Sequence, residues 1–327
     1  MRRAFAALSV VLALALAPTA LADGPTYASM QGDPGVDAPS GHVRWVAVGD
    51  GQARSTLVQE VQNSDGRFLR WTGIRGSWGI PTVTSLQAGG GISRDGRLLV
   101  LARYGFGGGA LPHKESSFVL FDTHRFEPTA TIHLRGDFSY DALSPSGRLL
   151  YLIQRVSSVD LSQYVVRAYD LRTNRLLPRR IADRTQRSWV MAGYPIDRVT
   201  SADGRFVYTL YMNPENLPFV HALDTVTATA HCIGLPWPLA NDQSVLYNMR
   251  LFLRGGGRVL DVRWKSGRGF ADFDTRTYRL LPAPTGPRVW LLVLAAAGGV
   301  ALLAGATYLA TRRRRGTRVV RPAGAPA

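Results

Sequence analysis

The chain has 327 residues, a formal net charge of +16 from 39 basic and 23 acidic side chains, and one cysteine, Cys232. A single cysteine excludes an intrachain disulfide, so stability must come from an apolar core, which a chain of this length can supply. Eight basic residues sit at the two ends (Arg2, Arg3, Arg312, Arg313, Arg314, Arg315, Arg318, Arg321), and only Lys114 and Lys265 are lysines. That distribution reads as the arginine bias of a GC-rich coding sequence, and no nucleic-acid partner is expected.

Residues 1–22 read as a secretory signal peptide. Arg2 and Arg3 precede an apolar run over 4–17, Pro18 breaks it, and Ala20-Leu21-Ala22 is a small-x-small cleavage site. Residues 23–40, rich in Gly, Pro and Asp, read as a loose leader.

From residue 41 the chain is built on a repeat. A tight turn feeds an apolar strand at SRDGR (93–97) into LLVLA, SPSGR (144–148) into LLYLI, SADGR (201–205) into FVYTL and GGGR (255–258) into VLDVRW. The glycines Gly96, Gly147, Gly204 and Gly257 lie 51, 57 and 53 residues apart. Downstream in each unit an alternating strand ends in Asp122, Asp170, Asp224 or Asp274, followed by a second turn and strand. One aspartate per repeat at a turn is explained by its accepting backbone N–H bonds, so these carboxylates are read as caps and not as metal ligands. Each unit therefore has strand a, a tight turn, strand b, a variable loop, strand c, a tight turn and strand d. Antiparallel units of about fifty residues that cannot bury both faces alone stack radially into a β-propeller. Five blades over 41–281 are expected, the first incomplete and able to pair with the chain's other end.

GRFVYTLY (204–211) followed by FVHALDTVTAT, and FVLFDTHRFEPTATIHL (118–134), resemble the YVTN-type, WD40-like propeller repeat of secreted bacterial proteins. The resemblance extends over most of 80–281 and implies an all-β propeller. The family spans binding, surface and enzyme proteins, so it implies fold more than function.

In an up-and-down blade the a–b and c–d turns share one face, and the longer b–c and d–a connections occupy the other. Loops on a rigid scaffold commonly carry recognition, so the loop-rich face and the channel mouth are the expected binding region. Near the starts of the inner strands it includes Trp78, Asp137, Tyr140, Asp141, Tyr194, Asp197 and Arg198. On its loops it includes Tyr104, His113, Arg155 and Tyr211. The aromatic members suit packing between blades as well as ligand contact, and Asp141 and Arg198, at equivalent places in successive blades, can pair across the channel.

Residues 282–288 form a short stalk. Residues 289–311 are 23 uncharged, mostly apolar residues, long enough as a helix to cross a hydrocarbon core of about 30 Å. The arginines that follow place the tail, 312–327, in the cytoplasm by the positive-inside rule. Strand d of the last blade should end on the loop face, so that face lies near the bilayer or the disc stands edge-on.

The expected function is a single-pass, membrane-anchored extracytoplasmic binding module for a protein, peptide or cell-wall ligand. Alternatives are a lactonase-like or other hydrolase, and a signalling or assembly subunit acting with a membrane-protein partner. No G-x-S-x-G, H-E-x-x-H or P-loop pattern occurs. No catalytic residue, metal site or cofactor is assigned.

Overall fold

The computed structural model describes residues 35–49, 54–103, 112–183, 185, 190–213, 216–237 and 242–282. The chain divides into two compact units, Met1–Leu280 and Leu281–Ala327. The stretches expected to be a signal peptide (1–22), a membrane span (289–311) and a cytoplasmic tail (312–327) lie outside the described residues. Among the described residues no helix is long and apolar enough to cross a membrane.

Among its described residues the first unit holds five antiparallel sheets in chain order. Blade 1 is β1 (Val36–Asp37), β2 (Val43–Gly49), β3 (Ser55–Gln62) and β4 (Phe68–Arg75). Blade 2 is β5 (Trp78–Gly79), β6 (Leu98–Arg103), β7 (Glu115–Asp122) and β8 (Glu127–Arg135). Blade 3 is β9 (Phe138–Leu143), β10 (Leu149–Arg155), β11 (Gln163–Asp170) and β12 (Arg175–Ile181), with β13 (Met191–Ala192) also paired to β11. Blade 4 is β14 (Tyr194–Thr200), β15 (Phe206–Met212), β16 (Phe219–Asp224) and β17 (Thr229–Gly234). Blade 5 is β18 (Met249–Arg254), β19 (Val259–Trp264) and β20 (Gly269–Asp274). This is the all-β, five-bladed architecture that the repeat implies.

Two expectations need correction at the ends of the array. Blade 1 is complete, and its inner strand comes from residues placed in the leader. Among the described residues its four strands come from one continuous stretch, and none comes from the chain's other end. Blade 5 is the short one: its fourth strand is reduced to an isolated bridge, Phe273 to Leu280. Tyr278, with a φ of 56°, turns the chain there, and its ring stacks 4.5 Å from His231 of blade 4.

The repeat motif works as turn chemistry. Gly96, Gly147, Gly204 and Gly257 all have positive φ, a region that a Cβ disfavours. The turn serines accept backbone N–H bonds: Leu98 to Ser93 at 2.9 Å, Leu149 to Ser144 at 2.9 Å, Phe206 to Ser201 at 2.8 Å. Each repeat aspartate caps two N–H groups of its own turn, as Asp122 does for His124 and Arg125, both at 2.8 Å. The threonine after it donates to the carbonyl of the a–b turn glycine, Thr123 to Gly96 at 2.5 Å and Thr275 to Gly257 at 2.7 Å. Leu171 replaces this threonine in blade 3. There Arg148 and Asp170 pair at 2.7 Å and tie the two turns instead.

Apolar clusters join blades 1 and 2, 2 and 3, 3 and 4, and 4 and 5. Among the described residues none joins blade 5 to blade 1. The centre is occupied by an excursion of blade 2. Between β5 and β6 the chain folds back on itself, with Thr82 bridged to Gly89, and its tip crosses to blade 4, where Ser85 N donates to Pro195 O at 2.7 Å. Three consecutive glycines permit this. A Cβ on Gly89 would lie 2.5 Å from Gly35 O, one on Gly90 2.8 Å from the Tyr140 ring, and one on Gly91 2.4 Å from Val100 O.

Candidate functional site

The inner strands and the blade 2 excursion enclose a cavity of about 340 Å³. Its floor and walls are mainly apolar, with Val36, Val83, Ile92, Leu143 and Val207 among them. Its rim is made by the a–b turns of blades 1 to 4, through Pro39, Arg94, Pro145 and Ala202. The cavity therefore opens on the tight-turn face, the opposite end from the one expected. Toward the loop end, among the described residues, the tip of the excursion meets Pro195, and the cavity beside Arg155 and Tyr211 is about 10 Å³, room for about one water.

Three expected site residues meet at the larger cavity: Tyr140, Asp141 and Arg198. Strand alternation places Asp141 on β9 facing blade 4, where Arg198 on β14 meets it. The Arg198 guanidinium donates to both the carboxylate and the main-chain carbonyl of Asp141, and its Nε donates to Thr209 Oγ1 at 3.0 Å. Both side chains of this pair are largely buried, at 10% and 4% exposure. Such a pair is held in place by its several bonds, because a buried charge that loses its partner is costly. Burial raises the Tyr140 phenol well above its ordinary pKa, so it stays protonated. The rim Arg94 reaches across to blade 4, its Nε donating to Ala202 O at 3.1 Å. Chemically this is a preformed apolar recess with a fixed phenol, carboxylate and guanidinium at one corner.

The other expected residues have different surroundings. Asp137 and Arg155 form a second buried ion pair at 2.9 Å inside blade 3, so Arg155 is not a solvated loop residue. The main-chain N–H of His113 donates to the other oxygen of Asp137 at 2.8 Å, which ties the b–c loop of blade 2 to blade 3. Tyr211 is 1% exposed and lies between Tyr164 and Phe219, with centroids 5.5 and 5.2 Å away; it is core, not loop surface. Trp78 is buried in the blade 1–2 cluster and donates its indole N–H to Arg75 O at 2.7 Å. Asp197 accepts the Leu251 N–H at 2.7 Å and so links blades 4 and 5; burial raises its pKa. Tyr194 opens β14, half-buried and opposite Met212. Tyr104 lies outside the described residues.

No His–carboxylate group stands at the cavity. His231 pairs with Asp183 at 3.1 Å, but on β17, the outer strand of blade 4. His221 is buried beside Tyr211, and burial lowers its pKa to about 4, so it is neutral at physiological pH. Among the described residues no three of His, Cys, Asp and Glu converge as metal ligands would. The features that sequence reasoning missed are the glycine triplet at 89–91, which shapes the cavity, and Arg94 at its rim. The triplet was the available signal, since consecutive glycines beside a strand mark a close backbone approach.

No family model matches the chain, and no curated protein matches it. Solved propellers are similar to it in fold. Hydrazine synthase from Kuenenia stuttgartiensis is 16% identical, with 77% of this chain and 76% of that chain covered and a TM-score of 0.39. The β-propeller domain of Myceliophteria thermophila Cps50 (Swd1) is 11% identical, with 81% and 71% covered and a TM-score of 0.43. TolB from Acinetobacter baumannii is 15% identical, with 72% and 53% covered and a TM-score of 0.40. These likenesses concern the fold alone, and no family model supports the YVTN repeat assignment specifically.

Proposed function

We propose that this chain is a membrane-anchored extracytoplasmic β-propeller that acts as a binding module, and that its ligand enters the cavity on the tight-turn face. One observation carries the reading: a recess of about 340 Å³ is already formed, and its polar corner is held by bonds between two blades. That volume is at the small end of ligand sites and suits one apolar side chain or a compact apolar group. The fitting ligand is a peptide, protein segment or cell-wall component presenting such a group beside a hydrogen-bond acceptor for the Tyr140 phenol. The membrane anchor rests on the sequence at 289–311 and the arginines after it.

Thr200 lines the cavity and is exposed, so Thr200→Trp fills the recess while leaving the core intact. Full-length protein in neutral detergent, immobilised and exposed to cell-envelope extract, should capture a component that Thr200→Trp does not. Equal capture by both would remove the cavity from the proposal. Turnover of a lactone or ester panel that Thr200→Trp abolishes, with no capture, would replace binding by hydrolysis.

A further inference from the structure

The outer strand of blade 3 differs from the other outer strands in its charge. Arg175, Arg179 and Arg180 on β12, and Arg172 in the turn before it, are all exposed. Among the described residues none of the four has an ion pair or a side-chain hydrogen bond. On or beside the other outer strands Arg67 pairs with Asp65 and Arg70 with Glu60 in blade 1, and Arg125 with Glu127 in blade 2; Arg75 and Arg135, the last residues of β4 and β8, have no ion pair among the described residues, but each stands singly at its strand's end. The outer strand of blade 4, β17, carries no Arg or Lys.

Two further observations mark this edge. Arg180 lies directly opposite Arg167 of β11, and like charges facing across a strand pair are destabilising. Arg167 gives two N–H bonds, to Gln154 Oε1 and Leu177 O, but its Nε is buried without a partner, and burial together with Arg180 lowers its pKa. The carboxylate opposite Arg175, Asp170, is taken: Arg148 holds one oxygen, and the N–H groups of Arg172 and Thr173 hold the other. Charge on an outer strand also blunts edge-to-edge pairing. Pro178 and any one arginine would serve that purpose, and it gives no reason for two guanidiniums to face each other.

From these we infer that the outer edge of blade 3 is a binding strip for an extended phosphate-bearing polyanion. Arg175, opposite Asp170, and Arg180, opposite Arg167, flank the edge from its two sides, up to about 17 Å apart along a bulged strand, longer than a single ion can bridge. Guanidinium is the side chain suited to paired hydrogen bonding with phosphate oxygens. The shared chemistry is a row of phosphates, whether on a soluble polymer or as lipid headgroups.

The test uses full-length protein in neutral detergent with inorganic polyphosphate as probe, orthophosphate as the single-ion control, and a salt titration. A second arm uses nanodiscs of phosphatidylglycerol against phosphatidylcholine. Two triple variants remove equal charge: Arg175→Gln, Arg179→Gln, Arg180→Gln on blade 3, and Arg258→Gln, Arg276→Gln, Arg279→Gln on the turns and last strand of blade 5, where all three are exposed. Both keep the C-terminal arginines. The blade 3 variant should bind polyphosphate at least about tenfold more weakly, with a shallower salt dependence, and should melt no lower than the parent. The blade 5 variant should bind as the parent does. Loss confined to the phosphatidylglycerol arm supports the strip and gives headgroups as the source. Equal loss in both variants, or orthophosphate competing as well as the polymer, would overturn it.

Discussion

The junction between blades 3 and 4 and the outward faces of blades 1 and 5 are built on different principles. At the first, Tyr151 reaches across to donate to Thr225 O at 2.8 Å, Asp141 holds Arg198, and Asp183 accepts the Cys232 N–H at 2.7 Å. These polar links sit within or beside an apolar cluster that runs through both blades. The far face of blade 5 instead carries an ion network, with Asp261 between Arg254 and Arg263, and Arg254 also on Asp272 at 2.6 Å. Blade 1 leaves Phe68 and Trp71 61% and 65% exposed. A charged face and an apolar one are poor partners. Among the described residues four apolar junctions hold the propeller, with blades 2 to 4 at its centre.

The largest expected effect is at the central junction. Asp141→Ala leaves Arg198 buried beside a carbonyl and one hydroxyl, and should cost about 3 kcal/mol in a denaturant titration. A loss below about 1 kcal/mol would mean that water in the cavity solvates Arg198, and the contrast with the outer faces would weaken.

The next effect is a pH dependence from the same blade. His221 has a folded-state pKa of about 4 against an ordinary value of 6.5, because burial disfavours the charged ring. The unfolded chain takes up a proton as pH falls below about 6.5 and the folded chain does not until about 4. Stability from this group is thus complete above the upper value and lost as pH falls through the lower one, by about 3 kcal/mol in all. His221→Gln should flatten the stability profile between those two pH values. An unchanged slope would assign the acid sensitivity to other groups.

The smallest effect sharpens the comparison within one blade. Trp45 is 2% exposed and packs in tilted contact with Phe126 and Phe121 of blade 2, whereas Trp71 is open. Trp71→Ser should move the melting midpoint by no more than an exposed substitution does, within about 0.5 kcal/mol. A loss of several kcal/mol would show that blade 1's far face is covered in solution.

How much of this was legible beforehand follows the range of each interaction. The Ser-x-x-Gly-Arg turns, three in number with Gly-Gly-Gly-Arg as a fourth, and the four capping aspartates are local and have one physical job each, so their pattern names the fold. The pairing of Asp137 with Arg155, eighteen residues apart, depends on strand register and burial, and Arg155 in isolation looks like any loop arginine. The cavity's location was hidden for a similar reason. Loop length suggested the loop face, but the excursion at 80–92 has no periodicity to announce it, and it is this segment that stands at that end. Inner-strand position is readable from the repeat, and it brings Tyr140, Asp141 and Arg198 to the centre; which end the cavity beside them opens to is not.

The excursion has one more consequence. A ring of units that touch only their neighbours can gain or lose a unit by duplication or deletion, because every seam is alike. The bond from Ser85 to Pro195 and the reach of Arg94 to Ala202 skip a unit. Removing or inserting a blade between the second and the fourth would sever both, so the centre of this array is fixed in number. Growth or loss by recombination is confined to its first and last members, the two whose outward faces are least committed.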